Sequence, residues 1–444
     1  MVAKLAEIVG RLGSAPGRRR LFLGALSHAR PILFPTAHAY RRTLIRRARI
    51  VAVVGSFGKT TTTRAVSAAL GLARDPKGWN SGAFLAAELL RIRSGARYGV
   101  LEVGISRKGT MARYAQLIRP HITVVTSIGS EHHESLGTLA GTREEKASMV
   151  RALPPCGLAV LNGDDPNVLW MREATSARVI TCGFGDACDV RASSVSIDIR
   201  EGTTFQLHAD GASHEVVTRL LGHPMVYPVL AAIAVSLSEG LSLDEVLPRL
   251  ERLAPTPERL QVLRTGEGAF LIVDTFKSML ETIHASLDTL AEIDADRKIV
   301  VLGGIEEPKG SQGPLYKDLG ARLAAVAAKV VFVGERESLR NLMSGARSAG
   351  MPGDRVIYAG KSSRCAATIV RADLRSEDVI LIKGRGTQHL ERVAFHLVGR
   401  PVPCDIDVCG FKPGCDECPL IVRAAHRARA QERRGARRVP KAGR

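Results

Sequence analysis

Short runs of β-branched and aliphatic residues recur along the chain, each closed by a glycine or polar turn and followed by a longer segment of mixed character. Residues 49–54, Tyr98–Val103, Ile122–Ser127 and Gly157–Asn162 read as buried strands, with a helix from Lys59 to about Leu72 behind the first. Strands alternating with helical segments predict a mostly parallel sheet covered on both faces. Residues 188–217 change period: Val195-Ser-Ile-Asp-Ile and Thr204-Phe-Gln-Leu-His alternate apolar and polar positions, which predicts an antiparallel addition. An Ala-rich helix follows over Pro228–Leu237, and the proline-flanked stretch Arg252–Arg259 reads as a linker. A second strand–helix series then begins, with apolar runs at Ala269–Val273, Lys298–Leu302, Val330–Val333, Val356–Tyr358 and Val379–Ile382.

The expected fold class is therefore α/β: a central domain with a phosphate loop and a mostly parallel sheet, then a smaller, Rossmann-like α/β domain without such a loop. The expected divisions are a short basic helical segment at 1–48, a central domain at 49–253, a second domain at 254–400, a cysteine cluster at 401–420 and a basic tail at 421–444. At 444 residues the chain is too long for one core, so more than one domain is required.

The net charge of +19 is located at the ends. Residues 1–50 carry +10 and residues 421–444 carry +8, leaving about +1 for the body between them. Basic ends of this kind suit an anionic membrane surface, nucleic acid or a polyanionic substrate, or are simply solvated tails. Aromatic residues are nearly absent from both, which argues against base stacking and so against nucleic acid. Arg19-Arg20 imitates a twin-arginine export signal, but His28, Arg30 and Pro31 break the apolar stretch behind it. No run reaches the ~18 apolar residues of a spanning helix, so a cytoplasmic enzyme, peripheral at the membrane through its basic ends, is the expectation.

The first strand leads into Gly55-Ser-Phe-Gly58-Lys59-Thr60-Thr61-Thr62-Thr63. Glycines let backbone N–H groups approach phosphate oxygens, a helix N-terminus adds partial positive charge, and a lysine ammonium meets the β and γ phosphates. A threonine hydroxyl next to that lysine can hold Mg²⁺. Val53 stands where the longer form of this loop has a glycine, so this is a shortened variant that still points to ATP. In a parallel sheet ligands bind beyond the carboxyl ends of the strands. Glu102, residues 127–133 and residues 162–165 fall at those ends, beside the loop.

Cys404, Cys409, Cys415 and Cys418 crowd into fifteen residues with the spacing C-x4-C-x5-C-x2-C. Four thiolates suit a tetrahedral Zn²⁺ ahead of an iron–sulfur cluster, with free thiols as the plain alternative. Cys156, Cys182, Cys188 and Cys365 are scattered and read as small core residues.

Four segments together resemble the Mur ligases, ATP-dependent amide ligases of peptidoglycan synthesis, and most closely the branch that adds D-alanyl-D-alanine to a UDP-N-acetylmuramoyl-tripeptide. They are Gly55-Ser-Phe-Gly-Lys-Thr-Thr-Thr; Leu101-Glu-Val-Gly; Glu131-His-His-Glu-Ser-Leu-Gly-Thr-Leu-Ala-Gly with Lys146; and Asn162-Gly-Asp-Asp-Pro166. The resemblance runs from about 49 to 395. It implies that Gly55, Gly58, Lys59, Thr60 and Thr61 cradle ATP, with Thr60 on Mg²⁺, and that Glu102 and His132 bind a second Mg²⁺. The register favours His132 over His133. Lys146, fourteen residues after His132, matches the lysine that the family carbamylates into a metal-bridging group. In the second domain Arg259, Asp274 and Lys277 match nucleotide-contacting positions.

This chain also departs from the family's pattern. His223-Pro-Met-Val-Tyr227 stands where the family has His-Asn-x-x-Asn, so adenine recognition must be rebuilt. Arg385-Gly386 follows Lys383-Gly384 in place of Ser-Arg, and Tyr316 replaces a histidine. About 48 residues precede the phosphate strand, where these ligases devote a domain to the UDP-sugar, so a UDP-linked substrate would have to be held differently. The chemistry implied is activation of a carboxylate as an acyl phosphate, then attack by the amine of an amino acid or dipeptide. The acyl substrate is expected to be a peptidoglycan precursor or another acidic cell-envelope or metabolite carboxylate. The rival from a different class is a non-catalytic ATP-binding scaffold with a membrane or protein partner.

Overall fold

The computed structural model describes residues 24, 26, 28–73, 78–105, 107–131, 136–308, 310–404, 406–410, 414–425 and 427. These divide into two compact units, one ending at Thr256 and the other beginning at Pro257.

The first unit is built on an eight-stranded sheet. Its strands are β1 (Arg49–Val54), β2 (Tyr98–Glu102), β3 (Ile122–Val125), β4 (Leu158–Asn162), β5 (Arg178–Gly183), β6 (Val190–Asp198), β7 (Gly202–Ala209) and β8 (Ala212–Thr218), in the spatial order β2-β1-β3-β4-β5-β6-β7-β8. The pairs from β2 to β6 are parallel, and β6–β7–β8 form an antiparallel meander. β1 is buried along nearly its whole length because both faces of the sheet are covered. On one face Val51 and Val53 pack with the helices Lys59–Ala69 and His223–Ser238; on the other Ile50, Ala52 and Val54 pack with Gly82–Leu90 and Leu139–Arg151. Such two-sided burial explains why these strands read as unbroken apolar runs, whereas β6 and β8, part-exposed, alternate. The helix Arg30–Arg42 is held by Arg41, whose guanidinium donates to the carbonyls of Ile118, Ile45 and Arg119 at 2.7–2.9 Å.

Two strands escaped the sequence pattern. β5 has only two fully apolar interior positions, Val179 and Ile180, and β9 (Gln261–Arg264) is short and half-buried. The helix expected from Pro228 begins at His223 instead. Pro224 is tolerated in its first turn, where the missing N–H has no intrahelical role.

The second unit carries a six-stranded sheet of β9 with β10 (Phe270–Asp274), β11 (Lys298–Leu302), β12 (Lys329–Phe332), β13 (Val356–Tyr358) and β14 (Val379–Lys383), in the order β13-β12-β11-β14-β10-β9. All pairs are parallel except β9–β10. Both units are thus of the expected α/β class. Among the described residues no helix is long and apolar enough to cross a membrane.

Candidate active site

In the order β2-β1-β3-β4 the connection leaving β1 runs to one side and that leaving β3 to the other, so a crevice opens at the carboxyl ends of β1 and β3. The phosphate loop sits there. Gly58 takes φ +81° and caps the helix Lys59–Ala69, a left-handed conformation that costs a residue with a Cβ. Gly55 meets a tighter demand: a Cβ there would stand 1.9 Å from Thr126 Oγ1. The loop is held from β3, with Ser56 N–H donating to the Ser127 carbonyl at 2.8 Å and Phe57 N–H to Ser127 Oγ at 2.9 Å.

Three charged side chains expected from sequence converge on this end of the sheet. Lys59 Nζ folds back to donate to the carbonyls of Gly55 (2.9 Å) and Ser56 (2.7 Å) and pairs with Glu131 Oε2 at 3.2 Å. Lys146, on the helix Leu139–Arg151 and only 1% exposed, donates to Ser56 Oγ at 2.7 Å. Ser56 Oγ in turn accepts from Gly129 N–H at 2.8 Å, so one loop hydroxyl links Lys146 to the segment after β3. Glu102 ends β2 and is 5% exposed; its Oε1 accepts from Asn80 Nδ2 at 2.9 Å, while its Oε2 is buried with no hydrogen-bond partner. An orphaned buried carboxylate oxygen is costly, and a divalent cation is the natural counterpart for it. The buried Glu102 carboxylate therefore fits a divalent cation such as Mg²⁺.

Thr61 is placed differently from Thr60. Its hydroxyl donates to Thr256 Oγ1 at 3.1 Å and the residue is 1% exposed, so its side chain is turned into the protein. His132 and His133 lie outside the described residues. Asn162 and Asp165 act as braces: Asn162 Nδ2 donates to the Thr126 carbonyl at 2.9 Å, and Asp165 Oδ2 accepts from Ile128 N–H at 2.7 Å. Ser56 and Glu131 fell within the segments read from sequence but were given no role of their own, and Asn80 was not named. Serine in a glycine loop and a carboxylate beside a histidine pair carry little signal by themselves.

At the start of the helix His223–Ser238 the substituted motif forms an aromatic group. The Phe184 ring lies 5.0 Å from that of Tyr227, edge-on, and 5.3 Å from that of His223. Tyr227 OH donates to Asp164 Oδ2 at 2.9 Å, and Asp164 also accepts the N–H groups of Phe184 and Gly185. Burial, then the Asp164 charge, pushes the Tyr227 phenol well above its ordinary range and keeps it a donor.

In the second unit Asp274 and Lys383 end the neighbouring strands β10 and β14 in register. Lys383 Nζ and Ser286 Oγ both reach Asp274 Oδ2 at 2.5 Å. Lys277 Nζ lies 3.6 Å from Glu306 Oε1. The Arg259 guanidinium stacks 3.9 Å over the Phe276 ring and donates to the Pro257 carbonyl. Tyr316 OH accepts from Ile305 N–H at 3.1 Å in a buried position.

The four C-terminal cysteines do not form the expected four-thiolate set. Among the described residues, the ligand-type atoms that gather within 4.8 Å of one another belong to His389, Glu391 and Cys415. Cys404 instead rests its Sγ 3.8 Å from Arg392 Nη1, because that buried guanidinium anchors its segment through the Ile406 carbonyl. Cys409 and Cys418 are half-buried.

A phosphate loop at the switch point of a parallel sheet, backed by two lysines and a buried carboxylate, defines an ATP-using enzyme. Residues 53–236 match the Mur ligase middle domain, and residues 258–386 match the Mur ligase glutamate ligase domain. The UDP-N-acetylmuramoyl-tripeptide–D-alanyl-D-alanine ligase of Mycobacterium tuberculosis (strain ATCC 25618 / H37Rv) is 32% identical over 383 residues, covering 81% of this chain and 74% of that protein. The ligase of the same name from Bacillus subtilis is 27% identical over 360 residues, covering 80% and 77%. In fold, the chain superposes on the crystal structure of MurF ligase from Thermotoga maritima in complex with ADP with a TM-score of 0.73 at 21% identity, covering 84% of both chains. The chain belongs to the Mur ligase family. It is an ATP-dependent, ADP-forming acid–amino-acid ligase, and nothing in these relatives supports a non-catalytic scaffold.

Proposed function

We propose that the enzyme joins the terminal carboxylate of a UDP-N-acetylmuramoyl-tripeptide to the amino group of D-alanyl-D-alanine, as the names of its relatives suggest. The observation that carries the catalytic part is the convergence of Lys59 and Lys146 on Ser56, with Glu102 paired beside Val53 at the same end of the sheet. In this reading a carboxylate oxygen of the substrate attacks the γ-phosphorus of ATP, the bond to the β-phosphate bridging oxygen breaks, and ADP leaves. The amine then attacks the acyl carbon, phosphate departs with the C–O electron pair, and the amine loses a proton. Lys59 exchanges its loop carbonyls for phosphate oxygens, and loop N–H groups hold the charge that spreads over the transferring phosphoryl group. One Mg²⁺, held by Thr60, would neutralise the triphosphate, and a second would be held by Glu102 and His132. Lys146 is proposed as the carbamylated residue of this centre. Adenine recognition is assigned to the Phe184–His223–Tyr227 group, which stands where the family's asparagine motif is replaced.

The test is to incubate the protein with ATP, Mg²⁺, the UDP-linked tripeptide and D-alanyl-D-alanine, following phosphate release and the mass of the product. Release that needs both acceptor and donor, with a product one dipeptide heavier, supports the reading. ATP binding without pair-dependent release overturns it. The basic ends extend the proposal to peripheral attachment at an anionic membrane surface, supported by their charges of +10 and +8. Sedimentation with phosphatidylglycerol vesicles, but not with phosphatidylcholine vesicles, tests that part.

A further inference from the structure

The cysteine segment brings Cys415 against the first turn of the helix Glu391–Leu397, in the unit that begins at Pro257. His389, Glu391 and Cys415 are 3%, 1% and 7% exposed, so three different ligand types meet away from water. His389 Nε2 lies 3.0 Å from the Cys409 carbonyl oxygen, and its Nδ1 lies 2.8 Å from Glu391 Oε1. A carbonyl only accepts, so Nε2 carries the proton there, and Nδ1 faces the carboxylate across either a second proton or a cation. Imidazoles that bind metals characteristically donate their other N–H to a carbonyl or carboxylate, which sets the tautomer and the ring orientation. Glu391 Oε2 is a second, independent indication: it is buried and has no hydrogen-bond partner, although Oε1 accepts the Cys415 N–H at 3.0 Å. Cys415 also opens a tight 3₁₀ turn in which Cys418 N–H donates to the Cys415 carbonyl at 3.1 Å, and both cysteines pack with Phe395, Val402 and Ile421.

We propose that His389 Nδ1, the Glu391 carboxylate and the Cys415 thiolate bind one divalent transition metal, with Cys418 supplying the fourth ligand from the C-x2-C turn. One nitrogen, one oxygen and two sulfurs select Zn²⁺ over hard cations such as Mg²⁺ or Ca²⁺, which favour all-oxygen sets. Binding displaces the thiol protons to solvent and places the cation beside the orphaned carboxylate oxygen. The site is structural. It pins the 415–421 segment to the helix that follows Gln388, whose side chain bonds Gly304 N–H and the Val333 carbonyl at the ends of β11 and β12.

The test uses the full chain, expressed with zinc supplied, and reads metal content by mass spectrometry. About one Zn²⁺ per chain is expected for the wild type and for Cys404→Ser, with at least a tenfold loss in Cys415→Ser and His389→Gln. Because those variants can fail to fold, wild-type apoprotein is also titrated with Co²⁺. A near-ultraviolet thiolate-to-cobalt charge-transfer band with tetrahedral visible bands supports the site. Wild-type protein without zinc and without that band overturns it. Zinc retained in Cys415→Ser, or an iron–sulfur absorption spectrum, also overturns it.

Discussion

Lys146 Nζ donates to Ser56 Oγ at 2.7 Å, joining a helix that follows β3 to the phosphate loop that follows β1. The same hydroxyl accepts the Gly129 N–H, so one side chain ties the loop, the lysine and the segment after β3 together. Lys146→Ala is expected to lower kcat by on the order of 10²–10³-fold, the scale on which a preorganised charge acts in a phosphoryl-transfer site. High bicarbonate should not restore it. Retention of full activity would remove Lys146 from the mechanism. A labelled-bicarbonate carbon resonance in the wild type that is absent from the variant would identify the carbamate.

Glu102 presents an unpartnered Oε2 at the end of β2. Glu102→Gln keeps a side-chain oxygen for Asn80 but removes the charge that a cation needs. The expected outcome is a higher Mg²⁺ requirement, about tenfold or more, with thermal stability in the absence of Mg²⁺ unchanged or raised. An unchanged Mg²⁺ titration would show that the orphaned oxygen has no cation to meet.

Tyr227 and Phe184 form the edge-on pair beside Asp164. Phe184→Ala should raise the KM for ATP by about tenfold, since base–aromatic stacking contributes about 1–3 kcal/mol, while kcat changes little. Equal KM values for ATP in the two proteins would move the adenine elsewhere.

His121 accepts the Ile50 N–H at 3.1 Å on Nδ1, at the opposite end of the sheet from the phosphate loop. Burial, then the positive charge of Arg41, pushes its pKa down to about 4. Between about 4 and its ordinary value of about 6.5 the unfolded chain binds more protons than the folded one, so stability rises with pH across that window. Urea unfolding should show the wild type losing stability from pH 7 to pH 5, and His121→Asn losing less over the same interval. Parallel pH profiles would contradict the assignment.

Where a strand is buried on both faces, its composition alone announced it, which is why β1 to β4, β10 to β12 and β14 were legible. β9 was missed because a short, half-buried edge strand has neither an apolar run nor clean alternation. The phosphate loop was legible for a similar reason, since glycine, lysine and threonine act there as a contiguous local unit. The four cysteines misled only as a set, because spacing reports which thiols can approach one another, and not which neighbours reach them first.

By itself the sequence determined the α/β class, a loop suited to a triphosphate and the charged residues that could serve it. These follow from local rules of periodicity, turn chemistry and ligand type. Only the tertiary structure decided the partnerships. Lys146 meets Ser56 across 90 residues and Lys383 meets Asp274 across 109, because strand order places their elements side by side. It likewise chose His389 and Glu391 as the company of Cys415, since contacts so distant in sequence depend on how the helix after β14 packs and leave no periodic trace in the chain.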